Sequence, residues 1–179
     1  MKEGEEVPVE YNASEQFYNV AKDEYDYEAG RNAVLDNKVS MTLAFCGVLF
    51  LFLVNYLDIR SIWQTDEQLV CYQCILRFIS SLLQVACLAF FTVSIVKLFL
   101  ILRPKTYCRL DLKLTLKDTL PEWDPKQAYM YLGKRYTDFA TFNRQVNERR
   151  SKSYRWSILW LLCAVLSCVL NEIITFNFL

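Results

Sequence analysis

The residues that could carry chemistry in this chain are few, and their types narrow the options. Cys71 and Cys74 form a C-x-x-C, a spacing that suits a disulfide or redox pair and equally suits two reduced thiols at the start of a helix. A zinc site is not expected, because there is no second C-x-x-C and the chain contains no histidine. The missing histidine also removes Ser-His-Asp and Cys-His nucleophilic catalysis, histidine-based metal hydrolases and the usual general base near neutral pH. Neither G-x-x-x-x-G-K-S/T nor G-x-G-x-x-G occurs, and four glycines could hardly build either loop. The carboxylates Asp23, Glu24, Asp26 and Glu28 could pair for acid/base work, but their clustering reads as a solvated helix face. The chain is therefore expected not to be an enzyme and to hold no cofactor or metal.

Cations interleaved with aromatics are the second chemically useful set. Arg135, Arg144, Arg149 and Arg150, with Tyr131 and Tyr136, supply the donors and stacking faces that an anionic nucleotide needs; lipid phosphates account better for Arg144, Arg149 and Arg150. The chain balances 20 Lys and Arg against 20 Asp and Glu, so direct nucleic-acid binding is not expected.

These residues must be positioned by helices that cross a bilayer. Val39 to Leu57 and Phe78 to Val96 are 19 residues each without a charged side chain, and Trp156 to Asn171 is a third such run, interrupted before Leu179 only by Glu172. At 1.5 Å rise per residue the first two nearly match the roughly 30 Å hydrocarbon core of a membrane. Leu43 to Val54 has no polar face of the kind a soluble amphipathic helix shows. The expected organisation is a cytoplasmic segment over 1–38, spans over 39–57, 78–102 and 156–179, an outer loop over 58–77, and a cytoplasmic region over 103–155. The loop from Asp58 to Arg77 carries two basic residues and 97–155 carries 14, which predicts a multi-pass inner (plasma) membrane protein with its N-terminus cytoplasmic and its C-terminus outside.

Outside the spans the pattern is mainly helical. Tyr11, Ser14, Tyr18, Ala21, Tyr25, Glu28, Asn32 and Leu35 step by three and four, a Tyr-rich stripe on a helix that runs toward the first span. A second helix, from Gln127 to Tyr154, follows the turn-forming Asp124-Pro125, with Leu132, Arg135, Phe139, Phe142 and Val146 on one face, and runs into the last span. Such stripes can pack on each other or on neighbouring copies, and three spans alone cannot enclose a useful pore. A homo-oligomer is therefore expected, with Tyr18, Tyr25, Phe139 and Phe142 as candidates for its seam. Leu110, Leu112, Leu114 and Leu116 alternate with polar residues, which predicts a short β element near 109–117, with Val7 to Tyr11 as a candidate partner. Within the spans, Ser80, Ser81, Gln84, Ser94, Asn55 and Asn171 could line a pore or bind helices together. Asp36 and Lys38 read as a charge pair at a helix entry, and Arg103-Pro104 as the end of the second span.

Three short motifs, in order, resemble a known family. Leu35-Asp36-Asn37-Lys38-Val39-Ser40-Met41-Thr42-Leu43, followed by Phe45-Cys46-Gly47, is similar to the "A-D-x-K-A" entry to the first membrane helix of the Pycsar-type transmembrane effectors of bacterial anti-phage defence. Leu102-Arg103-Pro104-Lys105 resembles the "L-R-P-R" after their second helix, and Asn143, Asn147, Lys152 and Tyr154 resemble their "N-x-x-x-N-x-x-K-Y" helix, with Asn37 in place of Ala and a different Asn-to-Lys spacing. The resemblance implies a membrane effector that perturbs inner-membrane integrity when a cyclic nucleotide or a cytoplasmic defence protein triggers it. Asp36, Asn37, Lys38, Arg103, Asn143, Asn147 and Lys152 would then couple signal to span. A non-enzymatic membrane assembly or regulatory subunit that binds a cytoplasmic partner, or a channel component, is the alternative.

Overall fold

The computed structural model describes residues 13–56, 71–104, 106–110 and 123–178. All regular structure among them is helical: α1 (Ser14–Tyr56), α2 (Cys71–Leu102) and α3 (Pro125–Phe178). Asp124 opens α3 as its cap, its carbonyl accepting from the Gln127 and Ala128 amides at 2.9 and 3.0 Å, and its carboxylate from Lys126 N at 3.3 Å. Pro125 then sits at the first helical position, where no N–H is needed. Arg103-Pro104 ends α2 as the sequence predicts, one residue after Leu102. The α2 start, at Cys71, lies inside the stretch read from sequence as outer loop, and Cys74 is exposed on that first turn.

The helices contribute to two compact units, Met1–Val34 with Lys105–Glu148 and Leu35–Pro104 with Arg149–Leu179. In the first, the expected stripe of α1 is the buried face: Ser14, Ala21 and Glu28 are buried and Tyr18, Tyr25 and Asn32 half-buried. On α3 the expected face is displaced by about one residue. Gly133, Tyr136, Ala140, Asn143 and Asn147 turn inward, whereas Arg135 and Phe142 are exposed. The reason is size. A Cβ on Gly133 would stand 2.6 Å from the Phe17 ring, so α1 and α3 approach closely over small residues that an apolar count overlooks.

The second unit is a bundle of three helices, with Leu35, Val39, Cys46 and Leu53 from α1, Cys87, Phe91, Leu98 and Ile101 from α2, and Leu161 and Ala164 from α3 in one core. On α2 the buried positions Ser80, Gln84, Cys87, Phe91, Ser94, Leu98 and Ile101 alternate spacings of four and three, the 3.5-residue seam of left-handed coiled packing. Its outer surface is apolar. Met41, Phe45, Leu51, Phe78, Leu82, Phe99, Trp156, Leu166 and Phe176 are among the large side chains exposed there, the reverse of a soluble bundle. All three helices are long and apolar enough to cross a membrane, as a multi-pass membrane protein requires.

The expected β element is not seen where it can be judged. Residues 106–110 have no regular structure, and 111–117, like Val7 to Tyr11, lie outside the described residues. Among the described residues, side chains of α1 and α3 bond Tyr107 and Cys108.

Candidate functional site

The densest polar cluster lies in the first unit, around a carboxylate that the sequence reading assigned to solvent. Glu28 is fully buried, because its place in the α1 stripe outweighs its acidic neighbours. Its charge is matched by Arg31 Nη1 at 2.9 Å and, at 4.0 Å, by Arg144 Nε. Asn147 Nδ2 donates to its Oε2 at 2.8 Å and to its main-chain carbonyl at 2.9 Å. A buried carboxylate is tolerable only when paired and hydrogen-bonded in this way. Asp23, Glu24 and Asp26 are exposed as expected.

Asn143, one helical turn before Asn147, lies on the same face of α3. Its Nδ2 donates to the Cys108 carbonyl at 3.2 Å and its Oδ1 accepts the Cys108 N–H at 3.1 Å. One amide thus offers the donor–acceptor pair that a neighbouring strand would supply. The Cys108 carbonyl accepts a second, longer bond from the Tyr25 hydroxyl at 3.4 Å, using both lone pairs. Beside it the Tyr107 hydroxyl lies 2.7 Å from the amide oxygens of both Asn32 and Asn147. A phenol has one proton, and Asn147 is oriented by its nitrogen's bonds to Glu28. That proton therefore belongs to Asn147 Oδ1, and turning the Asn32 amide over gives the phenol oxygen a donor. The Asn-x-x-x-Asn pair singled out in the sequence is thus the clamp for the 106–110 segment. Glu28, Asn32, Tyr107 and Cys108 were not foreseen in it; the one available signal was an acid inside an otherwise Tyr-rich stripe.

An aromatic group flanks this clamp. Tyr136 packs against Tyr18 and Tyr25 with ring centroids 5.7 and 5.3 Å away, and Tyr18 also meets Tyr129 at 5.4 Å. Tyr18 and Tyr25, expected as a candidate seam between chains, are thus engaged within this one. Burial, reinforced by the Tyr18 hydroxyl and by Asp26, pushes the Tyr136 hydroxyl above the ordinary tyrosine value. Phe139 is half-buried.

The cation and aromatic set is divided. Arg135 donates to the Tyr131 hydroxyl at 3.1 and 3.2 Å, with its guanidinium 5.4 Å from that ring, and Trp123 meets Tyr131 edge-on at 5.2 Å. A shallow hollow of about 280 Å³ lies there, lined by Trp123, Gln127, Met130, Tyr131 and Lys134. Tyr136 is in the aromatic group instead, and Arg144 stands between Glu24 at 3.8 Å and Glu148 at 3.9 Å. Arg149 and Arg150 belong to the other unit.

In that second unit Arg150 and Asp36 meet in one layer. Arg150, almost wholly buried, gives its Nη2 to Asp36 of α1 and, at 3.0 Å, to the Ile101 carbonyl, one of the last carbonyls of α2 that no intrahelical amide can reach. Asp36 is thus tied to α3 rather than to Lys38, which is exposed along with Asn37, Arg103 and Lys152. A buried arginine needs more than one acceptor, and this layer supplies a carboxylate and an orphan carbonyl. Further along, Thr42 and Tyr154 share a hydroxyl bond of 3.0 Å, Ser94 donates to the Ser157 carbonyl at 2.8 Å, and Ser80 donates to Asn171 Oδ1 at 2.6 Å. Ser80, Ser94 and Asn171 therefore join helices within the bundle. Asn55 is exposed, and Ser81 bonds the Arg77 carbonyl of its own helix. Gln84 is buried, and its Oε1 meets no donor among the described residues.

Comparison with protein-family models, with curated proteins and with solved structures finds no match to this chain.

Proposed function

We propose that the chain is a non-enzymatic membrane effector of bacterial anti-phage defence, which perturbs the inner membrane when a cytoplasmic signal reorganises its polar unit. The observation that carries this reading is the inverted bundle, with large apolar side chains outside and polar contacts Thr42–Tyr154, Ser94–Ser157 and Ser80–Asn171 inside. Parting such a seam would leave hydroxyls and amides facing one another in the membrane, the groups a water-filled breach needs. The clamp on Tyr107 and Cys108 is the complementary element: α1 and α3 supply both the clamp and the bundle, so a ligand or protein that displaces 106–110 acts on helices the bundle shares. The Pycsar resemblance supports the same reading, with the N-terminus cytoplasmic, copies assembling around the breach, and a cyclic nucleotide or a defence protein as trigger.

Membrane potential during infection tests it. Cells that carry the chain with its native neighbouring genes should depolarise on phage challenge, and Arg150→Met, which unties the three-helix layer, should change the threshold. A potential that stays intact in challenged cells with well-expressed wild-type protein overturns the effector reading.

One observation favours the alternative of a regulatory subunit. Val20, Tyr27 and Val34 are 69%, 61% and 54% exposed and spaced by seven on α1, a second seam suited to a partner helix. A stable complex with a cytoplasmic protein, and no change in potential, is the outcome that reading requires.

A further inference from the structure

One end of the second unit carries an excess of cations with almost no local counter-charge. The layer of Asp36, Ile101 and Arg150 fixes the relative heights of the three helices there. Counting 1.5 Å per residue from that layer, Lys38, Lys97, Arg103, Arg149, Lys152 and Arg155 all fall within about 8 Å of it along the helix axes. Five of the six are exposed and Lys97 is half-buried. None is ion-paired among the described residues. Two carboxylates lie at this level among the described residues: Asp36 is committed to Arg150, and the exposed Glu148 pairs with Arg144 on the same helix at 3.9 Å.

The apolar surface borders this collar on α1 and α3 and begins within it on α2, between Lys97 and Arg103. On α1 the first large exposed apolar side chain past Lys38 is Met41, on α2 the last before Arg103 are Phe99 and Leu100, and on α3 Trp156 follows Arg155 directly. A ring of cations on all three helices, bordering an apolar band with an exposed tryptophan at the junction, matches the phosphate level of a bilayer.

We propose that Lys38, Lys97, Arg103, Arg149, Lys152 and Arg155 form a collar that binds the headgroup phosphates of anionic phospholipids, so that the bundle selects an anionic leaflet over a neutral one. This rests on the membrane reading and deepens it by naming the lipid class. It also explains why the sixfold positive level is not neutralised from within: internal carboxylates would compete with lipid phosphate. Long flexible stems let each head reach the headgroup level from its own height.

The full chain, purified in a neutral detergent, is offered vesicles of phosphatidylcholine alone or with 30 mol% phosphatidylglycerol (about one lipid in three, enough for a strong surface potential). Bound lipid is then counted by native mass spectrometry and association by flotation. Wild type should retain phosphatidylglycerol several-fold over phosphatidylcholine, and the preference should shrink as salt rises. Lys38→Gln with Lys152→Gln, both exposed and bonded to nothing in the core, should cut it about fivefold for each charge removed. Inorganic phosphate at equal concentration should not compete, because it lacks the apolar tail that holds the headgroup at the collar. Retention of the two lipids in the proportion in which the vesicle offers them overturns the collar while leaving the membrane reading intact. A loss of preference caused by inorganic phosphate overturns lipid as the ligand source. Failure to float with either vesicle overturns both readings. Arg149→Gln with Arg155→Gln is the second variant, so that misfolding of one pair, seen as lost helical circular dichroism, does not decide the result.

Discussion

Asn147 binds Glu28 twice, through the main-chain carbonyl and through the carboxylate, so one side chain fixes both the backbone and the charge of a residue 119 positions earlier. Asn147→Asp should therefore be worse than Asn147→Ala. Alanine takes both of these bonds from Glu28, at a cost of about 1–3 kcal/mol for each group left without a donor, whereas aspartate also adds a repelling charge to a buried acid. Thermal unfolding in detergent should rank the melting temperatures wild type, Asn147→Ala, Asn147→Asp; equal values for the two variants would show the carboxylate contact to be unimportant.

Arg150 and Asp36 should behave as one unit. Arg150→Met takes a donor from the half-exposed Asp36 and from the Ile101 carbonyl, and Asp36→Leu strands the buried arginine, so the double variant should destabilise less than the sum of the two single variants. A coupling of about 1–3 kcal/mol is expected from a double-mutant cycle. Simple additivity would mean that the two do not interact in solution.

Gly133→Ala tests the close approach of α1 and α3. The new methyl group would press on the Phe17 ring at 2.6 Å, costing about 1–3 kcal/mol, and Phe17→Leu should restore part of that loss. No rescue by Phe17→Leu would place the strain elsewhere.

Much of this architecture was legible in advance, for reasons that differ by residue. The three apolar helices follow from the length of their charge-free runs, and the α1 stripe from periodicity, which burial enforces on a helix pair. The α3 face was misjudged by one position because Gly133, Ala140, Asn143 and Asn147 are small or polar, and an apolar count selects Phe139 and Phe142 instead. Charge predicts exposure for Glu28 unless partners are supplied; Arg31 is local, but Asn147 and Arg144, which complete the set, are more than a hundred residues away. The Asn143–Cys108 bonds could not be foreseen from local pattern at all, since a side-chain amide standing in for a strand leaves no periodic trace.

Tyr136 gives a pH signature for the first unit. Its folded-state hydroxyl titrates above the ordinary value near 10.0, chiefly through burial. The unfolded chain loses that proton first, so the stabilisation is fully present below about pH 10 and is lost as pH rises through and beyond it. Absorbance near 295 nm should show one tyrosine ionising late, and Tyr136→Phe should remove that late component; its persistence would assign it to another residue.

Gln84 should be a source of instability in the bundle. A buried carbonyl without a donor costs about 1–3 kcal/mol, so Gln84→Leu should raise the melting temperature, while Ser80→Ala, which takes the donor from Asn171, should lower it. A lower melting temperature for Gln84→Leu would mean that the amide is satisfied in the membrane.

The cross-helix polar layers also act as notches. Lipid-facing and seam residues of these helices are alike in greasiness, so sliding α3 along its neighbours by seven residues, about 10.5 Å, would cost the apolar contacts little. Thr42–Tyr154, Ser94–Ser157 and Ser80–Asn171 are made in only one sliding position, and each is lost on displacement. Replacing all three with aliphatic pairs would leave the layer of Asp36, Ile101 and Arg150 to mark the bundle's register, with alternative staggers closer in energy.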